Sequence, residues 1–105
     1  MYPLGRNDIP YQVFKVNRLR KVFRKLPTRL LETLDVEVEK IANNPFIGES
    51  KHGNLAEIRV HKFNYQGLQY LIAYLIDDVE KAITVIAFGP HENFYRDLKR
   101  YLRRK

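Results

Sequence analysis

The start of the chain combines one short strand pattern with the periodicity of a helix. Residues 11–16 follow a proline and are rich in valine and aromatic side chains, which is typical of a strand. Apolar side chains then recur at the spacing of one helix face: Val16, Leu19, Phe23 and Leu26. Asn17 stands at the start of this pattern, where a capping residue is favoured. We therefore predict a strand followed directly by a first helix.

A proline separates this helix from a second one. Pro27 lacks the backbone N–H that an interior helical position needs, but it suits the first turn of a new helix. The apolar face continues beyond it at helical spacing: Leu30, Leu31, Leu34, Val38, Ile41 and Ala42. The run Asn43-Asn44-Pro45 is a strong stop signal. The outer face of the second helix is acidic: Glu32, Asp35, Glu37 and Glu39. The pattern thus predicts a helical hairpin with a basic first arm and an acidic second arm.

The second half of the chain changes to the two-residue period of strands. Residues 54–63 alternate between apolar and polar, whereas residues 67–76 and 82–88 are apolar on both faces, as buried strands are. Short connections between the three segments favour an antiparallel meander. Gly89-Pro90 ends the last strand, and the spacing over residues 91–103 predicts a terminal helix.

The order strand, two helices, three strands and helix predicts an α+β fold. It would contain a small antiparallel sheet, an N-terminal helical hairpin and a C-terminal helix, with the helices on one side of the sheet. The chain of 105 residues fits a single domain spanning residues 1–105, and it shows no internal repeat or low-complexity tract.

Composition excludes several classes of protein. Cysteine is absent, which excludes a disulfide scaffold, a thiolate metal site and a cysteine nucleophile. No apolar run approaches the roughly 20 residues of a membrane span, and the first ten residues lack the apolar stretch of a secretory signal. We therefore expect a cytoplasmic protein that does not use a membrane as its partner.

The positive charge is concentrated at the two ends of the chain. There are 19 lysines and arginines against 12 acidic residues, a net charge of +7, and 14 of these cations lie in residues 1–30 and 93–105. Such segregation is typical of a polyanion-binding protein, with nucleic acid favoured over a membrane, although a solvated basic surface has the same composition. On the first helix, Arg18, Lys21 and Lys25 form a basic stripe, and Lys15 precedes it.

Two side chains at the start of the terminal helix are candidates for chemistry. A helix starting near Pro90 would place His91 and Tyr95 on the same face, one turn apart. Helix N-termini favour phosphate groups because their backbone N–H groups are unpaired. The alternative is that both residues extend the packing stripe of Leu98 and Leu102.

A second cluster of candidates lies on the first strand of the meander. Alternation places Arg59 and His61 on one face of this strand and Lys62 on the other, unless the strand bends. Cations in a strand indicate either a binding site or a solvated sheet face. Both interpretations are open for these residues.

These groups suit cleavage of RNA by its own 2′-hydroxyl. That reaction needs a base, an acid and cations on the pentacoordinate phosphorus, and histidine titrates near neutral pH. His91 can act as base or acid, Arg59 and Lys62 can stabilise developing charge, and Tyr95 can stack on a base or assist proton transfer. No metal or other cofactor is required. A phosphate-binding glycine loop is absent, which argues against a nucleotide hydrolase.

Three segments resemble a known family: residues 41–45, residues 55–60 with 70–74, and residues 88–95. Together with the order of elements, they resemble the RelE/ParE superfamily of bacterial toxin–antitoxin toxins over about residues 11–101. The last segment looks like the Gly-x-His-x-x-x-aromatic ending of YafQ-type RelE toxins. It is closer still to a ParE-like toxin subfamily that ends in HENFYRDLK.

The resemblance implies a microbial RNase-like fold and a toxin that cuts mRNA in the ribosomal A site. Its partner would be a small antitoxin protein that blocks the site. By motif position, His91 matches the catalytic histidine, Tyr95 the catalytic aromatic residue and Arg59 the arginine of the Glu-Leu-Arg-like strand. His61 and Lys62 fall where many members place basic residues. The basic stripe with Lys15 would contact ribosomal RNA, although a groove for an acidic antitoxin segment would look identical.

One position departs from the family pattern. Many RelE enzymes have an arginine directly after the tyrosine of the next strand, whereas here Tyr70 is followed by Leu71. A cation that stabilises the phosphorane is therefore missing or supplied from elsewhere, with Lys62 as a candidate. This departure keeps an alternative function open, in which the same fold inhibits DNA gyrase, as ParE toxins do, and cuts nothing.

Overall fold

Three α-helices and a five-stranded sheet make up the computed structural model, which describes residues 10–50 and 58–103. The elements follow in the order β1 (Gln12–Lys15), α1 (Asn17–Arg24), α2 (Thr28–Asn43), a 3₁₀ turn (Pro45–Ile47), β2 (Glu49–Ser50), β3 (Arg59–Tyr65), β4 (Leu68–Asp77), β5 (Ala82–Pro90) and α3 (Phe94–Arg103). The α+β class predicted from the sequence is confirmed. The first residues of the strand predicted at 54–63 lie outside the described residues.

The strand order in the sheet is β1-β5-β4-β3-β2. Strands β3, β4 and β5 form the predicted antiparallel meander, and the two-residue β2 pairs antiparallel with β3. Strand β1, however, lies parallel to β5, with Gln12 opposite Ala82. The expectation of an antiparallel sheet is therefore corrected to a mixed one. The long stretch of chain between these strands permits the crossover that parallel pairing needs.

The helices cover both faces of the sheet. Neighbouring residues of a strand point to opposite faces, and in β4 Ile72 and Tyr74 pack in the core that contains α1 and α2. Leu71 and Ala73 pack in a second core with α3. We call these the hairpin face and the α3 face. The expectation that all helices lie on one side of the sheet is wrong, because a strand that is apolar on both faces needs cover on each.

The helical hairpin ends where its prolines and asparagines predict. Leu19 and Leu34 are fully buried on the predicted apolar faces, Pro27 stands immediately before α2, and α2 ends at Asn43. The predicted cap is displaced by one position. Asn17 is the first helical residue, and the extended Val16 occupies the cap position without a side-chain hydrogen bond. No helix among the described residues has the length and apolar character to cross a bilayer.

A buried tyrosine holds the 3₁₀ turn against the sheet. The Tyr74 hydroxyl donates to the Pro45 carbonyl oxygen at 2.7 Å and accepts from the Gly48 N–H at 2.9 Å. Burial raises the pKa of this phenol, which keeps it a neutral donor. A Cβ atom at Gly48 would lie 2.5 Å from the Tyr74 hydroxyl oxygen, so only glycine fits this contact. The turn is thereby fixed beside β3.

Candidate functional site

His91 lies in a turn between β5 and α3, and the terminal helix begins at Phe94 rather than at His91. Asn93 has a φ of 66°, a left-handed backbone conformation that cannot continue into a helix, which is why the predicted helical start is wrong. The turn is nevertheless well anchored. The His91 N–H donates to the Gln69 carbonyl oxygen at 2.9 Å, and its own carbonyl accepts from the Phe94 N–H at 3.1 Å.

The two side chains of the predicted pair meet despite this change. The His91 and Tyr95 rings lie 6.3 Å apart, centroid to centroid, in an edge-to-face arrangement at 80°. Tyr95 is partly buried and also meets the ring of Phe94 edge-on, at 5.3 Å. The imidazole of His91 is exposed to solvent. The arrangement therefore presents one accessible acid–base group on a fixed backbone, beside an aromatic ring held by the α3 core.

Lys62 lies on the α3 face, as alternation predicts. It pairs with Leu71, which in turn pairs with Gly89, two residues before His91. Since strands lie about 4.8 Å apart, the Cα atoms of Lys62 and Gly89 are about 10 Å apart. The Lys62 ammonium lies 3.8 Å from a Glu49 carboxylate oxygen at the sheet edge. Among the described residues of β3, β4 and β5 that point to this face, Lys62 alone is positively charged.

Leu71 is completely buried on the α3 face. It belongs to one packed cluster with Val60 of β3, Ala73 of β4 itself, and Phe94 and Leu98 of α3. The position at which the resemblance would place an arginine is therefore part of the hydrophobic core. The centre of this face is closed by apolar side chains, and polar chemistry is confined to its edge near His91 and Lys62.

Arg59 points to the hairpin face, away from His91. Its guanidinium donates to the carbonyl oxygens of Gly48 at 3.0 Å and Phe46 at 3.3 Å, and it lies 5.3 Å from the centre of the Phe46 ring. In register, Arg59 pairs with Tyr74, far along the strand from Gly89. These contacts give Arg59 a structural role in holding the 3₁₀ turn, and the structure does not bring it together with His91.

His61 also points to the hairpin face, where it contacts α2. Its Nε2 lies 2.7 Å from Glu37 Oε1, and Lys40 donates to the other Glu37 oxygen at 3.0 Å. Both side chains of the His61–Glu37 pair are about nine-tenths buried, with 11% and 12% exposed. Burial raises the pKa of the Glu37 carboxyl, but the hydrogen bonds from His61 and Lys40 outweigh it, so the pKa lies below its ordinary value. The pair fastens α2 to β3.

We expect this contact to make stability depend on acid pH. Because the folded-state pKa of Glu37 lies below its unfolded value, its contribution is present above the ordinary carboxyl range and is lost as pH falls through the lowered pKa. At neutral pH, Glu37→Gln should lower the free energy of unfolding by about 1–2 kcal/mol. Urea unfolding between about pH 6 and pH 3 should show this difference shrinking. Glu39→Gln, at an exposed position of the same helix, is the control, and a difference that stays constant with pH would contradict the assignment.

The side chain of Arg18 makes contacts within the fold instead of forming part of the predicted basic stripe. Its guanidinium donates to the Ile86 carbonyl oxygen and stacks on the Tyr101 ring at 3.9 Å, so it joins α1 to β5 and α3. Lys21 on α1 and Lys25, the residue directly after α1, are exposed. Lys15 is exposed on β1 and lies 5.4 Å from the centre of the Phe23 ring. All four predicted nucleic-acid contacts are thus exposed, although the guanidinium of Arg18 is already engaged by contacts within the fold.

A comparison with protein families identifies the chain. The family described as ParE-like toxin of type II bacterial toxin–antitoxin systems matches residues 13–99. The chain belongs to this family. No curated protein matches it.

Solved structures show the same fold for the toxin. A free-state mutant of the E. coli toxin RelE is 23% identical, covering 88% of this chain and 98% of that one, with a TM-score of 0.69. The same toxin in complex with a peptide of the antitoxin RelB gives 23% identity, coverage of 86% and 95%, and a TM-score of 0.66. The RelBE2 toxin–antitoxin complex of Mycobacterium tuberculosis gives 23%, coverage of 83% and 98%, and 0.64. The predicted RelE/ParE fold is confirmed.

The toxin has a basic groove that the predicted stripe missed in part. A cavity of about 540 Å³ between α1 and α2 is lined by Lys15, Arg20, Phe23, Arg24, Leu31 and Asp35. Arg20 and Arg24 are four residues apart and therefore share the side of α1 that faces α2. The stripe chosen from the sequence lies on the other side of that helix. The sequence could have located this groove, because Arg20 and Arg24 directly follow Leu19 and Phe23, the two side chains by which α1 packs in the core.

Proposed function

We propose that this toxin is an endoribonuclease that cleaves mRNA on the ribosome without a metal ion, by attack of the RNA 2′-hydroxyl on the adjacent phosphate. The observation that carries the proposal is the exposed imidazole of His91, whose backbone is anchored by two hydrogen bonds and whose ring lies edge-to-face with Tyr95. An accessible histidine on a fixed backbone is the usual form of a general acid or base.

The groups beside His91 suggest how the steps would be divided. His91 takes the proton of the 2′-hydroxyl or gives one to the leaving 5′-oxygen. Tyr95 offers its ring to a neighbouring base. Lys62, at the polar edge of the α3 face, supplies positive charge to the phosphorane. Arg59 and His61 matched the family by position, and their contacts on the hairpin face support structural roles instead.

The proposal includes an antitoxin partner and a cytoplasmic site of action, where ribosomes are. RelE structures solved with their antitoxins support the first point. The basic groove between α1 and α2, or the exposed Lys21 and Lys25, would contact ribosomal RNA or an acidic segment of the antitoxin.

The chemistry of the RNA ends tests the proposal. Attack by the 2′-hydroxyl breaks the bond from phosphorus to the 5′-oxygen, so it leaves a 2′,3′-cyclic phosphate on one fragment and a 5′-hydroxyl on the other. Purified toxin, ribosomes and mRNA should give such ends. Added antitoxin should stop the reaction. Intact mRNA after growth arrest would count against the nuclease.

A second candidate function rests on the apolar α3 face. Leu71 lies at the buried centre of that face, and Lys62 is the one cation among the described strand residues that point to it. Little positive charge is therefore available there to stabilise a phosphorane. The alternative is inhibition of DNA gyrase, with no cleavage of RNA. It predicts DNA breaks and an SOS response on induction, and growth arrest that does not depend on His91.

A further inference from the structure

A second cavity lies at the end of the sheet nearest His91, on the opposite face. It has a volume of about 420 Å³ and lies between the α1–α2 turn and the β3–β4 hairpin. The residues that give it chemical character are Pro27, Thr28, Arg29, Tyr65, Gln66 and Tyr70. None of the steps proposed for RNA cleavage uses these residues.

The aromatic wall of this cavity is fixed in place. The rings of Phe63, Tyr70 and Phe88 lie nearly parallel, with centroids 5.6–6.3 Å apart and interplanar angles of 20° or less. Tyr65 meets Tyr70 edge-on at 6.4 Å. The hairpin turn beside it has φ values of 51° at Gln66 and 81° at Gly67, a tight two-residue turn. Tyr65 and Tyr70 are partly buried, so they offer aromatic surface at little cost in side-chain entropy.

The polar groups of the cavity select an anionic ligand with a flat apolar part. Arg29 brings a guanidinium, Thr28 a hydroxyl and Gln66 an amide, while no carboxylate is among the described residues that line the cavity. The groove between α1 and α2 differs, because Asp35 lies in its wall. Bases of single-stranded RNA stack on tyrosine, and the phosphates pair with arginine.

The position of the cavity relates it to the candidate catalytic residue. Tyr70 pairs with Pro90, and the His91 N–H is bonded to the carbonyl of Gln69, so the cavity and His91 share one end of the sheet. We propose that this cavity binds a nucleotide of the same RNA strand that is cut at His91, with its base on Tyr65 and Tyr70 and its phosphate at Arg29. This inference rests on the proposed function and adds a second RNA subsite to it.

Binding of uncleaved RNA tests the inference. In a His91→Ala background, the affinity for a short fluorescein-labelled oligouridylate is measured by anisotropy. Tyr65→Leu should raise the Kd by about 5- to 100-fold, which corresponds to the loss of one stacked base. Tyr65→Phe keeps the ring and should restore the affinity. Phe14→Leu, at an exposed aromatic residue on β1, is the matched control and should leave the affinity unchanged. Thermal unfolding of each variant shows that the fold is retained.

The outcomes separate this inference from the proposed function. If the wild-type toxin cuts RNA and Tyr65→Leu binds the oligouridylate as well as Tyr65→Phe does, the subsite is disproved and the nuclease stands. If RNA is never cut but binding depends on the Tyr65 ring, the RNA-binding cavity is supported and the nuclease is not. Loss of antitoxin binding in Tyr65→Leu, with unchanged RNA affinity, would instead make the cavity a protein-docking surface and overturn the inference.

Discussion

Replacing His91 by alanine is expected to reduce RNA cleavage by about 10²- to 10⁴-fold, the usual contribution of a general acid or base. The expectation follows from its exposed imidazole, the one titratable group in the turn that touches Tyr95. Growth arrest on induction should be lost in parallel. The measurement is the rate at which defined mRNA fragments appear on purified ribosomes.

The controls for this variant use the same turn. Because His91 is exposed and its anchoring bonds come from the backbone, His91→Ala should unfold at the same temperature as the wild type and still bind the antitoxin. Glu92→Ala, one residue further on, should cut RNA normally. Cleavage at the wild-type rate by His91→Ala would remove His91 from the chemistry. Arrest that persists with intact mRNA and with broken DNA would favour the gyrase alternative.

Replacing Leu71 by arginine should destabilise the toxin by about 3–5 kcal/mol. Leu71 is fully buried between β3, β5 and α3, and a guanidinium there would have no carboxylate to pair with among its packing neighbours. Leu71→Met keeps the volume and the apolar character and should cost less than about 1.5 kcal/mol. Urea unfolding of the three proteins gives both differences.

This pair of variants also distinguishes two views of the α3 face. If the face is a packed core, arginine unfolds the protein or displaces α3. If it were an open phosphate site that lacks one cation, Leu71→Arg would fold with normal stability and cut RNA faster. A stable and more active Leu71→Arg would therefore show that the apolar packing beneath α3 is not what limits this position.

Local pattern accounts for most of the secondary structure. Pro27 separates two helices that continue the same apolar pattern. The residues of β4 are apolar on both faces, which predicts a central position in the sheet. Periodicity states which face of an element is buried but not what covers it. Periodicity therefore could not predict the parallel pairing of β1 with β5 or the position of α3 on the face opposite the hairpin. Both are contacts between residues distant in sequence.

The candidate site was predictable to the same extent. The motif placed His91 beside Tyr95, and alternation separated Lys62 from Arg59 and His61. The roles of Arg59 and Arg18 were not predictable, because each guanidinium is engaged by carbonyl groups of distant segments, at Gly48 and Ile86 respectively. The sequence alone does not distinguish a cation that can bind a ligand from one whose charge is already used in contacts within the fold.

The parallel pairing of β1 with β5 has a consequence for how this toxin is made. β5 is the neighbour of both β1 and β4, so the N-terminal strand has no partner in the sheet until β5 has left the ribosome. Pairings of such large sequence separation form late, after local hairpins such as β3–β4. A nascent chain that stops before β5 therefore has an unpaired β1, and it contains neither His91 nor α3, which both follow β5 in the sequence. If the toxin cuts mRNA on the ribosome as proposed, we expect it to be harmless to the ribosome that synthesises it until its sheet is closed.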